Sequence, residues 1–435
     1  MSAAQEFKYR NITQAEAEEI CDRHDRLWRG APGGARANFS FCDLSNIVLP
    51  DRDLTDANFT AAMLNYADMR GCKLDNATFF MADLRRARLT GASMRRVDLR
   101  GALLRGAELD AVDLYEADLR EGSIAQSDKL AGLTYLTHAA TSADASDANL
   151  RGADMTKVRM SGSTAVKADF TDAILRNANL SRADMRQACL SGANLEGADL
   201  SSANLCGADL HDSVLTGAKL DGAQTRETNM DGALTDALAG LAPNELERPA
   251  PDMLADHSRW YDSNGKEGKP CIFDGVDLRS VRSLKGRNLT AMSAVGAILY
   301  GLDLEGAQLQ GAKFRGADLR MCNLRKADLR GADLTGAKLA NADLRDARLG
   351  PIYLDDHRSV AASLKDAAAR YADFRGSDLR RVDLTGADLS YAVMDCARID
   401  HSIFRSARLE GARLTGFNLE APEFSGAEGL NKATA

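Results

Sequence analysis

Cys21 and His24 stand three residues apart on a segment with helical periodicity, a spacing that could set a thiolate and an imidazole on one metal ion. A similar segment recurs later, ICDRHDRLW against MLADHSRWY, and there His257 repeats His24 while Leu254 takes the place of Cys21. A metal pair that loses its thiol in the duplicate reads better as a repeated histidine bridging a helix to whatever follows it. His138, His211, His357 and His401 have no ligand partners at telling spacing. GxxxxGK[ST] and GxSxG are absent, and no GxGxxG follows a strand in an alternating α/β context. The expectation is therefore no enzyme, no catalytic, cofactor-binding or metal-binding residues, no cofactor and no small-molecule substrate.

The remaining charged side chains follow a pattern of their own. Stepping by fives from Leu150 to Leu220, ten of the fifteen positions are Leu, three are Met, one is Phe170 and only Ala165 is small. Two residues earlier, the fifteen positions from Ala148 to Ala218 are twelve Ala, Val158, Ser163 and Ser213. Five residues turn a helix by about 140°, so this Leu column would be spread around every helical face. Five is also odd, so on a flat strand successive Leu would alternate between faces. The geometry that keeps both columns inward bends the chain once per repeat around an enclosed axis.

The unit Ala-(Asp/Asn)-Leu-x-x, as in ADLRG, ANLEG and ADLSS, resembles the pentapeptide repeat family. The resemblance covers most of the chain and implies an all-β fold: a right-handed quadrilateral parallel β-helix with four repeats per coil and coils about 4.8 Å apart. Leu then fills the axis, Ala lies against the wall, and Asp or Asn hydrogen-bonds main chain at the corner. Cys42, Cys72, Cys271 and Cys322 occupy the small inward position, while Cys189, Cys206 and Cys396 fall at outward or corner positions. No disulfide is expected.

Only 6% of the 435 residues are aromatic although 45% are hydrophobic, as a narrow Ala/Leu core requires. The net charge of −8 argues against a general nucleic-acid or anionic-membrane binder. No run of 18 apolar residues occurs, the opening residues lack the apolar core of a signal peptide, and a cytoplasmic location is expected.

The period runs from Phe39 to Ile124, resumes one register off at Leu150 and continues to Met230. It returns at Phe273 and Leu278, slips by one at Leu284, runs from Leu289 to Leu354 and resumes from Phe374 to Phe424. Two tandem modules follow, each preceded by a short capping helix. Residues 1–240 hold a helix at about 13–29, coils at 37–124 and 148–232, and a break at 125–147. Residues 241–435 hold a linker and helix at 241–262, coils at 271–354 and 372–424, and a break at 355–371. That last break reads either as an irregular coil centred on Leu364 or as a short helix over its second half. Thr13 and Glu16 form a capping box, and Pro251 suits a first helical turn. Ile20, His24, Leu27 and Trp28 share one helix face, as do Met253, His257, Trp260 and Tyr261.

Arg85, Arg86, Arg88, Arg95, Arg96, Arg100 and Arg105 form a basic band, read as a solvated face interleaved with Asp. At twenty residues per coil, Arg325, Arg345, Lys365 and Arg405 fall on one face. Residues 192–240 carry eight acids against Lys219 and Arg226. The resulting expectation is a non-enzymatic β-solenoid scaffold for an unidentified protein partner, with no membrane and no direct nucleic-acid binding. The family resemblance implies an alternative: a DNA-mimicking protein that binds or protects the type II topoisomerase gyrase. It also implies end-to-end homodimerisation through the C-terminal coil, where Phe417, Leu419 and Phe424 lie at or beside inward positions.

Overall fold

Five backbone amides per repeat must each find an acceptor, and the repeat Ala193–Gly197 shows how they do so. The Ala193 amide closes a turn on Leu190 O (3.0 Å), and the Asn194 amide reaches back to Ala173 O on the preceding coil (2.8 Å). Leu195 and Gly197 donate forward to Val214 O (2.8 Å) and Thr216 O (2.9 Å) on the next coil. The fifth amide, of Glu196, has no main-chain acceptor and is taken by Asn194 Oδ1 at 3.1 Å. The Asp or Asn of the repeat is thus a main-chain satisfier, since an orphaned amide would cost about 1–3 kcal/mol. Gly197 has φ +67°, the left-handed turn that brings the chain round the corner.

The computed structural model describes residues 9–122 and 142–430 except 244, 247, 354, 356 and 357, and the backbone alone of 125–128, 132–135 and 422. Ile124, Leu354, His138, His357 and the terminal KATA lie outside the described residues. The chain divides into two compact units, residues 1–237 and 238–435.

In each unit, parallel bridges join residues twenty apart on four faces: Asn38 to Asn58, Asp43 to Met63, Val48 to Asp68, Asp53 to Lys73. Most rungs are one residue wide, because left-handed corners interrupt the extended backbone every five residues, so few conventional strands form. Inside, Leu195, Leu329 and their column neighbours are fully buried. Phe39, Phe59 and Phe79 stack at 5.0 and 4.6 Å between ring centroids, the rise from one coil to the next.

Both units begin alike. Strand β1 (Arg10–Asn11) pairs in parallel with β2 (Cys42–Asp43). Helix α1 (Gln14–Trp28) follows, with Thr13 Oγ1 accepting from Glu16 N and the Glu16 carboxylate accepting from Thr13 N. Ala17, Ile20 and Cys21 join the core of unit 1. The Gln14 side-chain amide exchanges two hydrogen bonds with the Val48 main chain, substituting for a strand. In unit 2 Leu241 plays the part of β1, donating to Gly275 O and accepting from Asp277 N, and helix α2 spans Ala250–Asp262. His24 Nδ1 accepts the Ala37 amide and His257 Nδ1 accepts the Cys271 amide, each at 3.1 Å. The expected common faces are narrower than the spacing suggested: Leu27, Trp28 and Tyr261 are exposed, because the helices pack by their middle turns.

Both expected breaks need new bounds, and of the two readings of the second break it is the coil centred on Leu364, not the helix, that forms. In unit 1 the coil resumes at Ala143 and Ala145, not at 148; Leu103 bridges Asp144, so 21 residues are looped out, four repeats plus the one that shifts the register. That insertion contains the antiparallel hairpin β3 (Ala125–Asp128) and β4 (Gly132–Tyr135). In unit 2, Asp333 bridges Ser363, so ten residues are looped out, and Ala362, Leu364, Ala367 and Ala369 are buried coil positions with no helix among them. Within this insertion β5 (Ile352–Tyr353) pairs with β6 (Ser359–Val360), and Ile352 Cδ1 lies against Gly331, where a Cβ would come within 3.1 Å of it. The one-residue slip before Leu284 is taken up by a single 3₁₀ turn, Arg279–Val281.

Candidate interaction surfaces

Residues on either side of the central Leu point outward together, since side chains two apart share a face of an extended strand. In the sequence Asp-Leu-Arg the arginine therefore folds back on its own aspartate. Arg100 binds Asp98 through Nε (2.9 Å) and Nη2 (2.8 Å), and Arg120, Arg330 and Arg380 do the same with Asp118, Asp328 and Asp378. In unit 1, Arg85 forks onto Asp83, Arg95 reaches Asp113, and Arg88 lies between Asp68 and Glu108. Arg86 bonds Tyr66 Oη, Arg96 bonds Asn76 Oδ1, and Arg105 sits 3.5 Å from Asp144 and Asp147. The basic band is thus largely ion-paired with the repeat's own acids.

These pairs shift both partners. Burial pushes Asp118 upward, but the Arg120 fork and the Arg159 charge more than offset it, so its carboxyl is held below the usual range. Arg320 is the least exposed arginine of these described forks, at 6% side-chain exposure against 10% for its partner Asp318.

The proposed alignment of Arg325, Arg345, Lys365 and Arg405 does not hold. The ten-residue insertion moves everything after it by two repeats, half a coil. Arg345 therefore stacks on the repeat of Arg375, with its Nε 3.6 Å from Asp373, while Lys365, Thr385 and Arg405 form a separate column.

Inward cysteines behave as small apolar groups: burial pushes the Cys72 and Cys271 thiols up to about 12 and raises Cys322 further. Cys21 is likewise buried and pushed up to about 12. His24 is committed to the Ala37 amide, and no group of three or more His, Cys, Asp or Glu suited to a metal occurs among the described residues. Nor does any described helix have the length and apolarity to cross a membrane. His211 is half-exposed beside Asp212 on the acid-rich coils, and His401 donates its amide to Glu423 Oε1. In the last coil of unit 1, Leu220 and Met230 remain half-buried and Thr225 is exposed, so the axis is less closed there. At the end of unit 2 Phe424 is buried, stacked on Phe404 and covered edge-on by Phe417.

A family model described as "Pentapeptide repeats (8 copies)" matches residues 53–120, 140–232, 283–350 and 362–420. Among solved structures, HetL from the cyanobacterium Nostoc sp. strain PCC 7120, involved in heterocyst differentiation regulation, is 19% identical. The match covers 91% of this chain and 98% of HetL, with a TM-score of 0.19. QnrB1, a plasmid-mediated fluoroquinolone resistance protein, is 15% identical over 43% of this chain and 91% of its own, TM-score 0.19. A pentapeptide repeat protein of the Arabidopsis thaliana thylakoid lumen is 25% identical over 32% and 74%, TM-score 0.17. No curated protein matches the chain.

Proposed function

The chain belongs to the pentapeptide repeat family, whose members fold as right-handed β-helices, and on that premise we propose that it is a rigid, non-enzymatic scaffold for a protein partner. The observation that carries this reading is the closed axis: the Leu and Ala columns are buried side by side along each unit, so ligands meet only the outer faces. Those faces are stiffened by coil-to-coil hydrogen bonds and by Asp–Arg forks, which suits a preorganised docking surface. The N-terminal helix of each unit acts in this proposal as a cap, keeping the first coil from pairing with foreign strands. A partner recovered from the source cells, purified and titrated back, should give saturable heat with fixed stoichiometry. Failure of every recovered partner to titrate would overturn the scaffold reading.

A second reading is favoured by the acid-rich stretch 192–240, where Asp199 and Asp209 lie outward on one coil and Asp221 and Asp231 on the next. On this reading those coils imitate a duplex for gyrase. Purified protein would then alter gyrase supercoiling or its inhibition by a quinolone, and an unchanged assay would remove the idea. End-to-end self-association through unit 2 is also proposed, with Phe417 and Leu419 carrying the half-buried apolar surface. Sedimentation of Phe417→Glu beside the wild type tests it, and a wild type that already sediments as a monomer at micromolar concentration rejects it.

A further inference from the structure

A groove of 610 Å³ lies on unit 1 beside the point where the hairpin insertion leaves the coil. Two columns of the solenoid form its walls. Arg96, Glu116 and Lys157 occupy one corner position on three successive coils, and Asp98, Asp118 and Arg159 occupy the neighbouring bridge position on the same coils. Arg100 and Arg120 complete the lining, and Val97 is its one apolar member among the described residues.

The charges in this groove do not cancel. Among the described residues, five cations, Arg96, Arg100, Arg120, Lys157 and Arg159, face three carboxylates, Asp98, Glu116 and Asp118. Asp118 is shared, with its Oδ2 2.8 Å from Arg120 Nη2 and 3.0 Å from Arg159 Nη2. Lys157 is held by Glu116 at 3.2 Å, and Arg100 is forked onto Asp98 through Nε and Nη2. Arg96 bonds only the neutral Asn76 Oδ1, through Nε. Two positive charges are therefore in excess, carried by guanidinium groups with N–H donors still to place, and the side chains of Arg100, Arg120, Lys157 and Arg159 are 42–52% exposed. A compact anion with several acceptor oxygens matches both the surplus and the fork geometry.

We propose that this groove binds a phosphoryl anion, either free as inorganic phosphate or pyrophosphate or carried on a phosphorylated serine of a protein. The test uses the full chain and a variant in which Arg96→Gly and Arg159→Asn remove the surplus. Both replacements are residues that this solenoid already uses at the same repeat positions, as at Gly197 and Asn179, and Gly suits the φ of +54° at Arg96. A matched control, Arg381→Gly with Arg398→Asn, removes two charges at the same repeat positions in unit 2. Calorimetric titration with pyrophosphate, and separately with a phosphoserine peptide and its serine counterpart, should show saturable binding in at least one phosphoryl arm. That binding should weaken about tenfold or more in the groove variant and stay unchanged in the control. Pyrophosphate binding identifies the free anion as a ligand, and peptide binding alone identifies the protein-borne source. Absence of saturable binding in both arms, or equal loss in groove variant and control, overturns the proposal.

Discussion

Asp277 is the most deeply buried carboxylate of the second unit, and Arg279→Ala isolates what its counter-charge contributes. The Asp277 side chain is 0% exposed and Arg279 is 15% exposed. The carboxylate accepts from Arg279 Nε and Nη2 (2.9 and 2.6 Å), from the Arg279 amide (3.1 Å) and from the Ala239 amide (3.3 Å). Burial alone would push this carboxyl up, but the Arg279 fork and the amides overcome it and hold it below the usual range. Removing the guanidinium leaves a buried charge with two amide donors and no counter-ion, a change costing about 3–5 kcal/mol. The two surviving amides, and the water that can enter where the fork stood, argue for the lower end, about 3 kcal/mol. For a unit of this size that is a fall of roughly 6–12 °C in midpoint. Thermal unfolding followed by circular dichroism at pH 7 measures it. Arg279→Ala with Asp277→Asn should recover part of the loss, because the stranded charge is gone. The deficit of the single variant should also narrow as pH falls towards 5, where its displaced carboxyl takes up a proton. A single variant within about 1 kcal/mol of wild type, or a double variant no better than the single, would refute this account of the pair.

Leu195→Asp places a charge at a fully buried axis position and should destabilise unit 1 by more than about 4 kcal/mol; native-like melting would mean that Leu195 is not an axis residue. His257 is held below its ordinary pKa by burial, so the unfolded chain binds the extra proton and stability should fall as pH drops below about 6.5. A His257→Asn variant should lose that slope between pH 7.5 and 5.5, and an unchanged slope would count against the histidine. Removing residues 1–30 exposes the edges now covered by β1, Gln14 and α1, and light scattering should record association; a monodisperse truncation would argue against a capping role.

The repeat was legible in the sequence because each position has its own physical duty: Leu for the axis, Ala for the wall, Asp or Asn for the orphan amide. Legibility failed where a duty was met by an unusual residue. Ala145 occupies an axis position with a wall-sized side chain, which made the first coil after the insertion look like part of the break. The ten-residue insertion escaped because ten is a multiple of five; the register survived while the faces rotated, and the Lys365 column was misplaced as a result. β1 is only two residues long and lacks any alternation, so its pairing with Cys42 and Asp43 left no local signal. The arginine forks were visible as a tendency for Arg to follow Asp-Leu, but the groove beside the insertion depends on residues 96 to 159 being brought together by a ladder that skips 21 residues.

That skipped ladder also bears on how unit 1 assembles. Nearly every rung joins residues twenty apart, but four successive rungs, from Leu103–Asp144 to Asp118–Arg159, must close 41. Loop-closure entropy grows only with the logarithm of length, so doubling the separation costs about 0.6 kcal/mol, once, at the first of those rungs. A newly ordered coil gains far more than that from its four buried repeats. Growth of the stack can therefore pass the insertion in either direction with little hesitation, and coils on its two sides should unfold together rather than as separate blocks. Hydrogen exchange of the Leu84 and Leu180 amides, one on each side, should then report a common opening free energy.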